Sequence, residues 1–418
     1  TYTLTYDLND DDGIRASLPE GITSAAVLYK DPNNATFTLA VPTRPNYTFL
    51  GWWYGDTQIT GGNGVSFGQW TILGGGDIKA HWERTKDLGT ESNPYPISTS
   101  DQWYALARIL ETKPESDQDV TDPLKTDYAN FGYTEDYTEA YEMLQTSYYQ
   151  LKNNITLTWT EGYFGVPNFK GTLDGNNKIV TLDYQDLNIT VSAAAQFGGL
   201  IKNTEHCVIK NLTLNGMVTG SYTAEKGLQD MGLVIGATVG TKDEDPVMRI
   251  ENVISNVSVD ITIDVKGTAT SYLGSMIGRS FAPADGAKIV LENCVNNGGI
   301  TVTYVNAYAN TGRVGGLIGH AYAGTTMIGC KNYGAITHKG QSTFNIGGMV
   351  GSGNVAYENC VQGGNIQSSR SNVVPFPGLT AGENAGNVLE ITVTGTPGTS
   401  VTYADGETKQ LSDDGTAT

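Results

Sequence analysis

Two short phrases return in a fixed order along the chain, and this repetition constrains the fold more than any other feature of the sequence. The first phrase combines apolar residues with glycines. It occurs as FGGLI at 197–201, MGLVIG at 231–236, LGSMIG at 273–278, VGGLIG at 314–319 and IGGMVG at 346–351. The five starts lie 34, 42, 41 and 32 residues apart. Rigid phrases joined by connections of variable length predict stacked structural units.

A second phrase follows each copy of the first and keeps two apolar positions nine residues apart. These pairs are Ile209 and Val218, Ile250 and Val259, Leu291 and Ile300, Met327 and Ile336, and Tyr357 and Ile366. The phrases are short, rich in Ile, Val and Leu, and bounded by Gly and Asn, which predicts strands. Asn recurs at a bend inside this phrase, as Asn211, Asn252, Asn293 and Asn359, with Gly329 in the remaining copy. Because Asn tolerates unusual dihedrals and hydrogen-bonds to nearby backbone, we expect a structural column there.

Units of this length, each with several short strands and bends, predict a mostly β chain built on a right-handed parallel β-helix. Equivalent residues of neighbouring coils would then lie directly above one another, about 4.8 Å apart. Cys294, Cys330 and Cys360 continue the column of Leu212 and Val253. Two alternatives follow for these thiols: buried small hydrophobic residues, or a disulfide between neighbours.

The two phrases together, GGLIG-like and then IxNCxNxGxI-like, resemble the GLUG-motif repeats of bacterial surface and adhesin-like proteins. The resemblance extends over roughly residues 195–370. It implies a repeat-built scaffold at the cell surface or in the secreted fraction, with a role in adhesion. The signal and the anchor are expected outside this chain.

A helix is expected where the β-helix begins. Residues 103–110 carry apolar side chains at Trp103, Leu106, Ala107 and Leu110, which is helical spacing, and Thr99 to Gln102 matches a capping box. Such a helix would cover the open edge of the first coil.

An acidic, tyrosine-rich insertion follows at 127–149 and holds the candidate ligand-contact residues. These are Tyr128, Tyr133, Tyr137 and Tyr141. Exposed Tyr often contacts sugars and proteins because the ring is rigid and amphipathic. The alternative is that these rings pack the cap onto the end of the helix.

Residues 1–86 contain neither of the two repeated phrases. Pro42, Tyr47-x-Phe49-x-Gly51-Trp52 and Asp77-Ile78-x-Ala80-x-Trp82 resemble the Listeria–Bacteroides (internalin B-type) repeat, a small β-grasp module of bacterial surface proteins. We expect Trp52 and Trp82 in its core. The predicted organisation is a β-grasp-like domain at 1–86, the entry segment at 87–150, the β-helix at 151–386, and a segment at 387–418 that pairs with the helix end or begins a further domain.

The charge balance restricts the partners. With 44 acidic and 25 basic residues the net charge is −19, which repels polyanions and predicts no nucleic acid and no anionic membrane as partner. No stretch approaches the roughly 18 apolar residues of a membrane span, so no membrane insertion is expected in this segment. Few cysteines with abundant Thr, Asn, Gly and Tyr fit an exported bacterial protein, expected to be a monomer.

Catalysis was weighed because parallel β-helices host polysaccharide lyases and hydrolases. Glu251, Glu292 and Glu358 share one outward site beside the Asn column, and paired carboxylates about 5 Å apart suit a retaining glycosidase. The repeat alone explains their placement. The four histidines, His81, His206, His320 and His338, have no metal-ligand spacing. The sequence therefore predicts no catalytic residue, no metal and no cofactor.

The sequence favours a non-enzymatic, adhesin-like surface protein. In this hypothesis a rigid coil stack presents variable loops at 220–230, 241–247 and 303–312 to a host protein or a glycan. Two alternatives stay open: a polysaccharide-active enzyme and a purely structural stalk.

Overall fold

The computed structural model describes residues 1–10, 16–44, 47–84, 88–159, 163–239, 247–265, 269–281, 288–305, 312–340 and 344–368, and short strands after residue 372. The chain divides into two compact units. One holds Thr1–Tyr95 with Lys113–Glu142, and the other holds Pro96–Thr112 with Met143–Thr418. The tyrosine-rich helical segment, up to Glu142, thus belongs to the same compact unit as the N-terminal residues.

The N-terminal sheet has five strands. They are β1 (Tyr2–Asp7), β2 (Ser24–Val27), β3 (Tyr47–Tyr54), β4 (Thr57–Gln58) and β5 (Gly76–Arg84). The order is β2-β1-β5-β3-β4, in which β1 and β5 are parallel and the other neighbours antiparallel. This is a β-grasp-like sheet, and residues 16–44 of the described chain contain no helix.

The core of this sheet contains the predicted tryptophans. Trp52 is fully buried, and its Nε1 donates a hydrogen bond to Ala40 O at 2.8 Å. Trp82 is partly buried against the same cluster, with its ring centroid 5.4 Å from that of Phe49. The expectation of a core role for both is confirmed.

A short strand and three helices follow. They are β6 (Tyr95–Ile97), α1 (Ser100–Glu111), α2 (Asp122–Ala129) and α3 (Tyr137–Thr146). Helix α1 begins at the predicted capping box, because Thr99 Oγ1 accepts from Gln102 N at 3.3 Å and Gln102 Oε1 accepts from Thr99 N at 3.3 Å. Its buried face includes Trp103 and Leu110, as the spacing predicts.

Helix α1 packs on the first coil of the β-helix. The Trp103 ring lies 6.4 Å from that of Phe169, and Asn168 Nδ2 donates to Leu110 O at 3.0 Å. Asn168 thereby satisfies one of the carbonyls that the end of a helix leaves free. The helix therefore covers the coil edge, as expected.

The β-helix is formed by strands that return to equivalent positions in successive coils. Its strands are β7 (Tyr148–Leu151), β8 (Ile155–Thr158), β9 (Thr172–Val191), β10 (Ala195–Gly198), β11 (Ile201–Thr204), β12 (Val208–Ala224), β13 (Leu228–Gly232), β14 (Ile235–Thr238), β15 (Met248–Ser255), β16 (Ser258–Val265), β17 (Thr270–Gly274), β18 (Ile277–Ser280), β19 (Ile289–Glu292), β20 (Val295–Asn296), β21 (Ile300–Tyr304), β22 (Gly312–Gly315), β23 (Ile318–Ile328), β24 (Lys331–Asn332), β25 (Ile336–Gly340), β26 (Phe344–Gly347), β27 (Gly353–Glu358), β28 (Val361–Gln362), β29 (Ile366–Ser368), β30 (Val373–Val374), β31 (Val388–Leu389), β32 (Val393–Gly395), β33 (Ser400–Thr402), β34 (Thr408–Gln410) and β35 (Thr416–Ala417). Parallel pairing joins each coil to the next, whereas β34 and β35 pair antiparallel with β33 and β32. The predicted parallel β-helix is confirmed.

The coil register is the one that the repeated phrases predict. The first positions of the second phrase pair in the order Ile209, Ile250, Leu291, Met327 and Tyr357. The first positions of the first phrase pair in the order Phe197, Met231, Leu273, Val314 and Ile346. Equivalent residues are therefore stacked across the coils.

The asparagine column has the predicted structural role. Asn211, Asn252, Asn293 and Asn359 have φ values of 55, 54, 52 and 53°, and Gly329 has 61°. In this left-handed region Asn and Gly are favoured over other residues. Asn252 Nδ2 donates to Asn211 Oδ1 at 3.3 Å, and Asn293 Nδ2 donates to Asn252 Oδ1 at 3.4 Å. The side chains of Asn211, Asn252 and Asn293 thus form a hydrogen-bonded ladder along the bends of three successive coils.

The cysteine column lies in the core. Cys294, Cys330 and Cys360 are fully buried free thiols. Each donates to a carbonyl of the preceding coil, Cys294 Sγ to Ile250 O at 3.2 Å and Cys330 Sγ to Leu291 O at 3.3 Å. Of the two alternatives, the buried hydrophobic role is confirmed.

The stack continues into the last segment of the chain. Strand β31 pairs in parallel with β28, and β32 pairs in parallel with β29. These two strands of the 387–418 segment therefore extend the β-helix sheet.

Candidate functional site

The four predicted ligand-contact tyrosines are buried. Tyr128, Tyr133, Tyr137 and Tyr141 have exposed fractions of 0, 8, 5 and 4%. The rings of Tyr128 and Tyr137 lie 4.9 Å apart, and the Tyr133 hydroxyl lies 3.0 Å from that of Tyr95. The candidate role as exposed ligand-contact residues is therefore corrected. The four rings lie on α2, on α3 and between these helices and are buried, which supports the alternative of a packing role.

The glutamate column is partly neutralised by an arginine. Glu251 and Glu292 are neighbours in adjacent coils, and Ile328 separates them from Glu358. Arg249 Nη1 lies 3.2 Å from Glu251 Oε1 and 3.7 Å from Glu292 Oε2. This arrangement is a surface ion-pair network, and it gives neither carboxylate the environment of a general acid.

Two of the three predicted presentation loops fall largely outside the described residues, namely 241–246 of the second and 306–311 of the third. The loop at 220–230 is described: β12 runs to Ala224, and the chain then passes to the other parallel sheet, where β13 begins at Leu228. Within the described chain no group of three or more His, Cys, Asp or Glu is placed to hold a metal ion. None of the described helices is long and apolar enough to cross a membrane.

A cluster that the motifs did not predict lies where the first phrase of each coil packs on the coil before it. We call this place the glycine junction. It is formed by β13, β17, β22 and β26 with β14, β18, β23 and residues 350–352. A Cβ on Gly278 would lie 2.5 Å from Met231 N, and one on Gly319 would lie 2.5 Å from Leu273 N. The glycine that ends each phrase thus touches the first residue of the preceding coil's phrase. Only glycine permits backbones this close.

This offset of one coil brings together the residues that flank the phrases. The residue after one phrase meets the residue before the phrase of the preceding coil. Asp230 thereby contacts Arg279, and Tyr272 contacts His320. The same offset makes Arg313 and Ser352 the corresponding third pair, because a Cβ on Gly351 would lie 2.7 Å from Val314 N. The close approach of the backbones is the same at each pair, and the chemical type of the paired side chains differs.

The first pair is a buried, bidentate ion pair. Arg279 Nε donates to Asp230 Oδ1 at 2.8 Å, and Arg279 Nη2 donates to Asp230 Oδ2 at 2.9 Å. The side chains are 9% and 0% exposed. Burial raises the pKa of Asp230, and the Arg279 guanidinium opposes that rise. The two parallel hydrogen bonds favour the carboxylate form.

The second pair is a stacked ring pair. The Tyr272 and His320 rings are 5.3 Å apart and 22° from parallel, and Tyr322 meets His320 edge-on at 4.8 Å. His320 Nδ1 lies 2.7 Å from Ser352 Oγ. Burial and the nearby Arg313 cation lower the pKa of His320 to about 4, so the imidazole is neutral at pH 7.

The third pair differs because no carboxylate of the described residues pairs with Arg313. Its guanidinium lies over the Tyr272 ring at 5.2 Å. Its Nε is fully buried and has no hydrogen-bond acceptor. Next along the column lies the exposed Asn345, and Ser352 beside it is partly exposed. The junction thus holds an uncompensated cation between an aromatic wall and polar side chains.

A sequence signal for this cluster does exist. Asp230, Tyr272, Arg313 and Asn345 each stand directly before a copy of the first phrase. Arg279, His320 and Ser352 each stand directly after one. The one-coil offset that pairs these two sets is visible only in the structure, so the sequence alone does not join them into a cluster.

No family model and no curated protein match this chain. Among solved structures, the chain is similar to the crystal structure of a "putative immunoglobulin A1 protease" from Bacteroides ovatus, with 18% sequence identity and a TM-score of 0.44. The similarity covers 79% of this chain and 83% of that chain. A similarity this distant transfers no function.

Proposed function

We propose that this chain is a non-enzymatic, exported bacterial surface protein whose β-helix binds a host or glycan ligand. The observation that carries the proposal is the glycine junction. There the backbone and glycines repeat from coil to coil, while the flanking side chains change from an ion pair to stacked rings to an unpaired cation. At the third position the side chains of Arg313, Asn345 and Ser352 reach the surface, and polar side chains held in place by a rigid scaffold are typical of binding sites.

The resemblance of the two phrases to GLUG repeats, and of residues 1–86 to a Listeria–Bacteroides repeat, supports the same proposal. Both resemblances imply an extracellular or cell-surface location. The glutamate column supports an enzyme less well, because Arg249 contacts the only two glutamates that are coil neighbours.

A binding array with a sugar-release assay tests the proposal. The soluble chain is applied to arrayed glycans and matrix proteins, and the same glycans are assayed for new reducing ends. Saturable binding without release is the expected result. Release of reducing ends contradicts the non-enzymatic assignment, and a lack of both binding and release leaves the structural stalk as the function.

A further inference from the structure

We propose that Arg313 is an acidic-sugar site: its guanidinium binds the carboxylate of a uronic or sialic acid residue, with Tyr322 and Asn345 contacting the rest of the sugar. This inference rests on the proposed function and names the chemical class of the ligand.

The charge distribution singles out Arg313. The chain carries a net charge of −19, and the other junction arginine, Arg279, is fully paired with Asp230. Arg313 instead contacts only the face of Tyr272 among the described side chains, and its buried Nε has no acceptor. The side chain as a whole is partly exposed, so the guanidinium nitrogens other than this buried Nε are the donors that a ligand carboxylate can reach.

The geometry of the guanidinium favours a carboxylate as the ligand group. Arginine presents a planar fork of N–H donors that matches the two oxygens of a carboxylate. The residue that would be its partner by analogy with Asp230 and Arg279 is Ser352, which has no charge and is hydrogen-bonded to His320. We therefore expect a ligand carboxylate to occupy the position that Asp230 has beside Arg279.

The surroundings favour a sugar over a peptide. Tyr322 is 37% exposed and stacks edge-on against His320 and Phe281, so its ring is held rigidly at the surface. The exposed Asn345 supplies an amide for sugar hydroxyls. Strand β22 is paired on both sides, by β17 and β26, so a peptide finds no free strand edge to extend.

The test measures binding of short acidic saccharides by calorimetry. The probes are trigalacturonic acid and sialyllactose, each compared with its carboxyl-reduced form, which keeps the sugar hydroxyls and removes the charge. The proteins are the full chain, Arg313→Gln and the matched control Arg249→Gln, which makes the same charge change in the surface network at Glu251 and Glu292. Thermal unfolding confirms that each variant is folded.

We expect the full chain to bind at least one acidic probe and to bind its reduced form at least about tenfold more weakly, since a hydrogen bond to a charged group is worth 1.5–3 kcal/mol. Arg313→Gln should lose about tenfold or more in affinity for that probe, and Arg249→Gln should change it less than about twofold. Arg313→Lys should retain part of the affinity, because it keeps the charge and loses the fork.

A second readout follows from the neighbouring histidine. A carboxylate on Arg313 offsets the cation that, with burial, lowers the pKa of His320, so an NMR titration should place that pKa higher with the probe bound than without it. The groups that face His320 are Tyr272, Tyr322, Ser352 and the two arginines of the junction.

Four outcomes overturn the inference. Equal losses in Arg313→Gln and Arg249→Gln would mean an unspecific charge effect. Binding to an acidic peptide but to neither saccharide would assign the site to a protein partner. Binding to neutral glycans with no preference for the acidic probes removes the acidic-sugar site and leaves the proposed function standing, whereas no binding to any glycan or matrix protein removes both.

Discussion

At the scale of single residues, Asp230 and Arg279 stabilise each other through two parallel hydrogen bonds, and removing either residue leaves the other charge buried without a partner. Asp230→Leu leaves a guanidinium buried without its carboxylate, and we expect it to lower the free energy of unfolding by about 3–5 kcal/mol. The double variant Asp230→Leu with Arg279→Leu leaves no buried charge, and we expect it to recover most of that loss. Urea unfolding of the wild type, both single variants and the double variant measures the cycle.

If the two single losses simply add in the double variant, the residues do not act as a pair and the bidentate geometry has no energetic role.

A second residue-scale prediction concerns His338, whose side chain is 1% exposed. Burial lowers its pKa from 6.5 to about 4, so the folded state favours the neutral ring. Between these two values the unfolded chain binds more protons than the folded chain, and stability therefore falls as pH falls from about 6.5 toward 4. At pH 4.5 the loss from this residue is about 2 kcal/mol relative to pH 7.

The variant that isolates this effect is His338→Val, because Val302 holds the same position one coil earlier. Urea unfolding at pH 7 and pH 4.5 should show a smaller acid-induced loss in His338→Val than in the wild type. His320, whose pKa is also lowered to about 4, remains in both proteins and serves as the internal reference. Equal losses in the two proteins would show that His338 is not the group that titrates.

At the scale of elements, the glycine junction depends on backbones that approach too closely for a side chain. We expect Gly278→Ala to lower the free energy of unfolding by about 2–3 kcal/mol, because its Cβ would lie 2.5 Å from Met231 N and backbone cannot move aside cheaply. Gly299→Ala is the matched control, since the nearest atom to its Cβ would be Ala335 O at 3.7 Å. Chemical unfolding of the two variants measures the difference.

A loss of the same size in Gly299→Ala would point to a general sensitivity of the coils to added side chains, and would contradict a specific role for the junction.

The same elements show what the sequence can predict. The nine-residue spacing from Ile209 to Val218 recurs in all five copies of the second phrase, and in a parallel stack equal spacing forces equivalent residues into register. The capping box at Thr99 and the bend at Asn293 are local features, determined by a few adjacent residues. Each of these was predictable because the information lies within one phrase.

The parts that could not be predicted depend on contacts between phrases. The Asp230–Arg279 pair joins residues 49 positions apart, and it arises from the one-coil offset of the glycines. For the tyrosines typified by Tyr128 the sequence leaves both an exposed and a packing role open, and the structure shows the rings to be buried. The periodicity of the sequence assigns each residue to a column, but it does not predict which two columns are in contact.

At the scale of the whole molecule, the stack of coils is stabilised by nearest-neighbour pairing, as in other repeat proteins. The length of that pairing varies strongly along the stack. Strand β12 pairs along nearly all of its 17 residues with β9, whereas β28 and β29 have two and three residues. Coils that share short strands should open more readily than coils that share long ones.

Four buried thiols report on this difference, one each beside β12, β20, β24 and β28. Burial raises the pKa of Cys207 to about 12, and the hydrogen bond with Cys330 together with burial raises the pKa of Cys360 above its usual range, so neither thiol reacts while its coil is closed. In single-cysteine variants made by Cys→Ala at the other positions, pulsed labelling with a thiol reagent in rising urea should modify Cys360 first and Cys207 last. Simultaneous labelling of Cys360 and Cys207 would instead mean that the stack opens as one cooperative unit, and labelling of Cys207 first would contradict the assignment of stability to strand length.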